Sequence, residues 1–161
     1  MHASRRIRSG FSLIELVIVV VIIGIIAAIA IPRMSRGAAG AGDSALTGDL
    51  AVLRKAIDLY AAEHGGNFPS ATDIVTQLTQ YTDSGTGAGQ ASKDSTHIYG
   101  PYLQSIPKLP VGTYKGSQTI LTTGTPGAAA GGWLYTASTG VIQANCADTE
   151  KDVAGNKYNG Y

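Results

Sequence analysis

The sequence predicts an α+β fold in which a long N-terminal helix, hydrophobic in its first half, packs its second half on a small antiparallel β-sheet head with a short second helix. Three observations carry that expectation. Phe11 to Ile31 holds a single charge, Glu15; Leu46, Leu50, Leu53, Ile57 and Tyr60 recur at intervals of four and three; and the last third has β-branched and aromatic runs separated by glycine turns.

With 161 residues, 44% of them apolar and only 14% charged, the chain has room for one small domain beside the apolar run. Twelve basic against 11 acidic side chains leave a net charge of +1. The clustered Lys and Arg of a nucleic-acid binder are missing, and a disordered tail would be far less hydrophobic. No nucleic-acid partner is expected. The lone Cys146 cannot close a disulfide within the chain and supports no Cys/His zinc site.

As a helix, Phe11 to Ile31 is about 32 Å long, enough for the roughly 30 Å hydrocarbon core of a bilayer. Arg5, Arg6 and Arg8 precede it, which favours an N-in, C-out topology. A cleavable secretory signal is the alternative: Ala28-Ile29-Ala30 offers a site after Ala30 that would release a soluble binding protein. The run is longer than a typical signal core, however, and a signal has no use for Glu15. A carboxylate costs about 2.5–3.5 kcal/mol at mid-bilayer and less near a helix end. Glu15 therefore calls for a partner, with Arg8 two turns back on the same helical face, or for snorkelling to the headgroups.

Arg8-Ser9-Gly10, then Phe11-Ser12-Leu13-Ile14-Glu15-Leu16, a long aliphatic run, Gly24 and Pro32 together resemble the N-terminal signature of type IV pilins and type II secretion pseudopilins, over residues 5–36. The resemblance implies a leader, residues 1–10, removed by a membrane prepilin peptidase between Gly10 and Phe11, with methylation of the new Phe11 amine. It implies that Glu15 pairs with the N-terminal ammonium of a neighbouring subunit, an attraction that is strong in low dielectric. The partners it implies are further copies of the chain in a helical filament, the peptidase, an inner-membrane assembly platform, minor pilin-like subunits and membrane lipid. The location implied is the inner membrane as a single-pass precursor, then a periplasmic or cell-surface filament. Losing Arg5, Arg6 and Arg8 leaves nine basic against 11 acidic side chains, a charge of −2.

Residues 11–32 form the membrane or filament-core helix in this reading, and 33–161 the amphipathic helix and head. Gly24 and Pro32 weaken the segment between them through backbone entropy and a missing N–H. That segment is expected to lose helical bonding on assembly; a mild kink in a continuous helix is the alternative. Gly37 to Gly42 is a poor helix former. The 46–60 stripe follows, and His64-Gly65-Gly66 stops the helix, His64 facing the helix dipole rather than a substrate or metal.

Ser70-Ala71-Thr72-Asp73 resembles a capping box for a second helix bearing Ile74, Leu78 and Tyr81. Residues 83–95 read as a mobile loop, its Gly85-x-Gly87-x-Gly89 lacking the strand and helix of a phosphate loop. Strands are expected over 118–123, 133–137 and 141–144, the last two joined by a hairpin turn at Ser138-Thr139-Gly140.

The segments Tyr99-Gly100-Pro101-Tyr102 through Pro107, and Gly132-Trp133-Leu134-Tyr135 through Ile142, resemble segments of major pseudopilins and related prepilin-type proteins. With the absent disulfide, they favour a type II secretion pseudopilin, driving protein export, over a type IV pilin of a surface filament for adhesion, motility or DNA uptake. Major pseudopilins commonly hold Ca2+ in a C-terminal loop, and here Asp148, Glu150 and Asp152 are the alternating acids that could converge on a hard cation; acids balanced by Lys151 and Lys157 are the alternative. The tail 155–161 is a candidate contact surface. His64, His97 and Cys146 sit in no recognised catalytic context, so no enzymatic activity is expected.

Overall fold

The computed structural model describes residues 11–161, save the side chains at 32, 33, 35 and 36. The leader and the Gly10 side of the expected cut lie outside the described residues. Helix α1 (Leu13–Glu63) is continuous through Pro32 and through Gly37 to Gly42. The chain divides into two compact units, Met1–Ala38 and Ala39–Tyr161, within that glycine- and alanine-rich stretch.

In the first unit, Leu13–Ile31 is long and apolar enough to cross a membrane, and none of it is buried by the fold. Aliphatic side chains all round a helix suit lipid or a helical bundle equally, which is the expected reason for leaving them uncovered.

In the second unit, the stripe Leu46, Leu50, Leu53, Ile57 and Tyr60 is buried, joined by Ala56 and Ala61. The helix ends as its glycines dictate. Gly65 takes φ +65°, and the Gly66 N–H reaches the Ala61 carbonyl at 2.7 Å, so a left-handed glycine turns the last N–H groups back onto unpaired carbonyls.

Helix α2 (Ile74–Thr79) buries Ile74, Gln77 and Leu78. Only half of the expected capping box forms: Ser70 Oγ accepts from the Asp73 N–H at 3.1 Å, but the Ser70 N–H goes to Gln77 Oε1 at 2.7 Å. Asp73 becomes the residue before the helix, without capping it. Tyr81 leaves the helix and opens β1 (Tyr81–Thr82), which pairs antiparallel with β2 (Gly89–Gln90).

The expected 83–95 loop is thus partly strand, and two carboxylates tie it. Asp83 accepts from the N–H groups of Gly85, Thr86 and Gly87 and from the Thr86 hydroxyl. Asp94 accepts from the Thr96 and His97 N–H groups, His97 Nδ1 and Gln90 Nε2. Short acidic side chains bonding their own following backbone hold such loops without a core.

The main sheet has the order β3 (Ile120–Leu121), β4 (Trp133–Thr136), β5 (Val141–Ala144). β4 and β5 form the expected hairpin, Trp133 opposite Ala144 and Thr136 opposite Val141. Gly140 closes it at φ +70°, with the Phe68 ring where a β-carbon would stand. The all-antiparallel expectation is corrected at β3, which runs parallel to β4. A parallel return needs a long crossover. Residues 122–132 supply one, pinned by buried Asn145: its Nδ2 donates to the Ala129 and Gly131 carbonyls and its Oδ1 accepts from the Gly127 N–H, each at 2.8 Å. Trp133, Tyr135 and Ile142 pack on the α1 stripe with Leu78, Ile106 and Leu109. Trp133 Nε1 and the Tyr135 hydroxyl still find acceptors, the Pro107 and Pro69 carbonyls, each at 2.9 Å, as buried aromatic donors must.

Candidate functional site

At the N-terminal end, Phe11 is 84% exposed and precedes the first helical turn. Four N–H groups at a helix start have no partner within the helix. Glu15 satisfies one of them: its Oε2 accepts from the Ser12 N–H at 2.8 Å. Within the single chain, then, the acid of the apolar segment is bound to its own helix end. The sequence signal for this cap is Ser12-x-x-Glu15, the spacing of a capping box, which a pairing of Glu15 with a cation leaves unused. A β-carbon added at Gly24 would meet nothing within 4 Å, so its place in the helix answers to no packing demand inside the chain.

At the other end of the chain, a loop is stapled to α1 without a disulfide. Asp43 accepts from the Tyr158 hydroxyl at 2.8 Å and from the Val153 N–H at 3.2 Å, and Arg54 donates to the Tyr161 and Ile142 carbonyls. Tyr158 is buried, and burial with the Asp43 carboxylate pushes its phenol up to about 12.

The three acids singled out for calcium are not brought together. Asp148 accepts from Lys157 Nζ at 2.6 Å and Asn159 Nδ2 at 2.8 Å, and those donors lower its pKa. Glu150 turns the other way, to the Thr113 N–H and hydroxyl and the Ala147 N–H. Burial raises the pKa of Glu150, but these donors outweigh it and leave it lowered. Asp152 is held down to about 2 by the Tyr161 hydroxyl and Asn156. Among the described residues, no three His, Cys, Asp or Glu side chains are grouped to hold a metal ion.

The remaining reactive side chains are already engaged. His97 Nδ1 lies on Asp94 at 3.0 Å. Cys146 is fully buried, and burial, with Glu150 beside it, pushes its thiol up to about 12, far from a nucleophilic thiolate. The glycine-rich 85–89 turn presents its N–H groups to Asp83, which fills the place a phosphate would need.

Residues 5–31 match the family model described as the prokaryotic N-terminal methylation motif, so the chain carries the prepilin signal of type IV pilins and pseudopilins. A long apolar N-terminal helix with an α+β head after it is consistent with a pilin-like fold. No curated protein and no solved structure matches the chain.

Proposed function

We propose that this chain is a structural subunit that is trimmed between Gly10 and Phe11, waits in the inner membrane with its head outside the cytoplasm, and polymerises through the apolar half of α1 into a pilus-like filament. The observation that carries the reading is an acid, Glu15, at the start of an unburied apolar helix that bears the methylation motif. Such a helix must be covered by lipid or by its own kind, and a helical bundle of copies covers it on every side.

Within that reading the type II secretion pseudopilin is preferred over the surface pilin. Its support is the Tyr99 to Pro107 and Gly132 to Ile142 segments and a C-terminal loop fixed by Asp43 and Arg54 instead of a disulfide. The work is assembly, with no catalytic step, and within the chain Asp148, Glu150 and Asp152 each serve a different protein donor. The peptidase, an assembly platform and minor pilin-like subunits are the partners the proposal requires.

Expressing the chain with a type II secretion assembly platform, shearing the cells and imaging the supernatant tests it. Thin fibres reacting with antibody to the head are expected. Chain that stays wholly in membranes, or that appears as soluble protein beginning at Ile31, would contradict it.

A further inference from the structure

His64 closes the last turn of α1 and is 6% exposed. Its Nδ1 lies 2.9 Å from the carbonyl oxygen of Tyr60, and its Nε2 lies 2.8 Å from the carbonyl oxygen of Asp83. A carbonyl oxygen only accepts, whereas a neutral imidazole has one N–H to give. Either neutral tautomer therefore points a lone pair at one of the two carbonyls, and the doubly protonated ring alone satisfies both. The Thr82 hydroxyl, 3.1 Å from Nε2, can donate to that nitrogen once its proton has gone. We infer that His64 is a proton-operated clip: protonated on both nitrogens it ties the end of α1 to the start of the β1–β2 connection, and on losing the Nε2 proton it releases Asp83 and turns to Thr82.

The surroundings suit a cation despite the burial. The ring stacks on Tyr60 with centroids 3.9 Å apart and planes 6° apart, and Tyr99 lies tilted at 5.3 Å. Aromatic faces and the carbonyl end of a helix both attract positive charge. Of the bases on the elements packed there, Arg54 is bonded to the Tyr161 and Ile142 carbonyls and His97 to Asp94, and the titratable groups beside the ring are acids. On α1 these are Tyr60 and Glu63, the latter bonded to the Tyr102 hydroxyl at 2.6 Å. On the β1–β2 connection it is Asp83, its carboxylate turned to Gly85, Thr86 and Gly87. On the returning segment they are Tyr99 and Tyr102.

The connection that His64 holds also covers part of the core. Gly87 sits so close that a β-carbon there would overlap the Tyr60 hydroxyl, and its carbonyl accepts from Gln77 Nε2 at 3.2 Å. The inference concerns the head alone, independently of whether the chain polymerises.

The test uses the full chain in detergent micelles with 15N-labelled histidine rings, followed from about pH 5 to about pH 8. His2→Gln and His97→Gln variants identify the His64 signals by elimination. The expected result is two protonated nitrogens at the acidic end and one, Nδ1, at the other. Amide protection at Gly85, Thr86 and Gly87 should fall roughly tenfold over the same interval, after division by the intrinsic exchange rate at each pH. A ring that keeps one protonation state throughout, or one that titrates while loop protection stays constant, overturns the inference.

Discussion

The Glu15 carboxylate accepts a 2.8 Å hydrogen bond from the backbone N–H of Ser12, so the acid of the apolar segment caps its own helix before any neighbour is present. Insertion and assembly then make different demands on one side chain. The cap needs an oxygen acceptor, whereas pairing with a neighbouring ammonium needs the charge. Glu15→Gln is expected to insert, be processed and keep its first helical turn while sheared fibre yield falls at least about tenfold, the equivalent of 1.4 kcal/mol per subunit contact. Wild-type fibre yield from Glu15→Gln would show that the cap, not the charge, is what assembly uses.

Asp43 binds the C-terminal loop through the Tyr158 hydroxyl and the Val153 N–H. Removing an ionised acceptor from a partly buried pair costs about 1–3 kcal/mol, and deleting only the hydroxyl costs less. Asp43→Ala should therefore lower the thermal midpoint of the head more than Tyr158→Phe does. The double variant should fall short of the sum, since the two share one bond. Full additivity would place the two side chains in separate roles.

Acid should loosen the same loop. Asp148, Glu150 and Asp152 have lowered pKa values in the fold, as do Asp83 and Asp94 in the 83–98 region. A depressed carboxylate adds stability that is complete above its unfolded pKa, near 4, and is lost as pH falls through the folded one. Unfolding midpoints should thus decline below about pH 4, and Asp152→Asn should flatten that decline. An acid limb identical in wild type and Asp152→Asn would remove Asp152 from this account.

Calcium is expected to change nothing. A ligand that binds only the folded state raises its stability in proportion to the logarithm of concentration over Kd. With Asp148 on Lys157, Glu150 on Thr113 and Asp152 on Tyr161, a cation would have to break bonds already made. Melting curves of the full chain in EDTA and in millimolar Ca2+ should superimpose. A rise in midpoint with Ca2+ that Glu150→Gln abolishes would reinstate the alternating acids as ligands.

Features fixed by local chemistry were legible in the residues, and features fixed by distant contacts were not. Leu46 to Tyr60 reads as one stripe because helical spacing leaves no other face for it, and Gly65-Gly66 reads as its stop because those φ values exclude most side chains. The parallel pairing of β3 was hidden, since it depends on Asn145 pinning a crossover from the far side of the hairpin. Alternate acids share a face only in extended chain. The Glu150 N–H bonds back to the Ala147 carbonyl at 2.9 Å, so Asp148 lies in a turn and the three carboxylates scatter. The Ser12–Glu15 cap is written in its spacing, because the first N–H groups of a helix need acceptors and Glu15 stands three residues on.

The intact mass and first residue of the protein from native membranes, with and without prepilin peptidase, test the central claim most directly. The account predicts a chain beginning at methylated Phe11 that reverts to the uncut precursor when the peptidase is absent. A chain beginning at Ile31, or one left uncut while the peptidase is active, would contradict it.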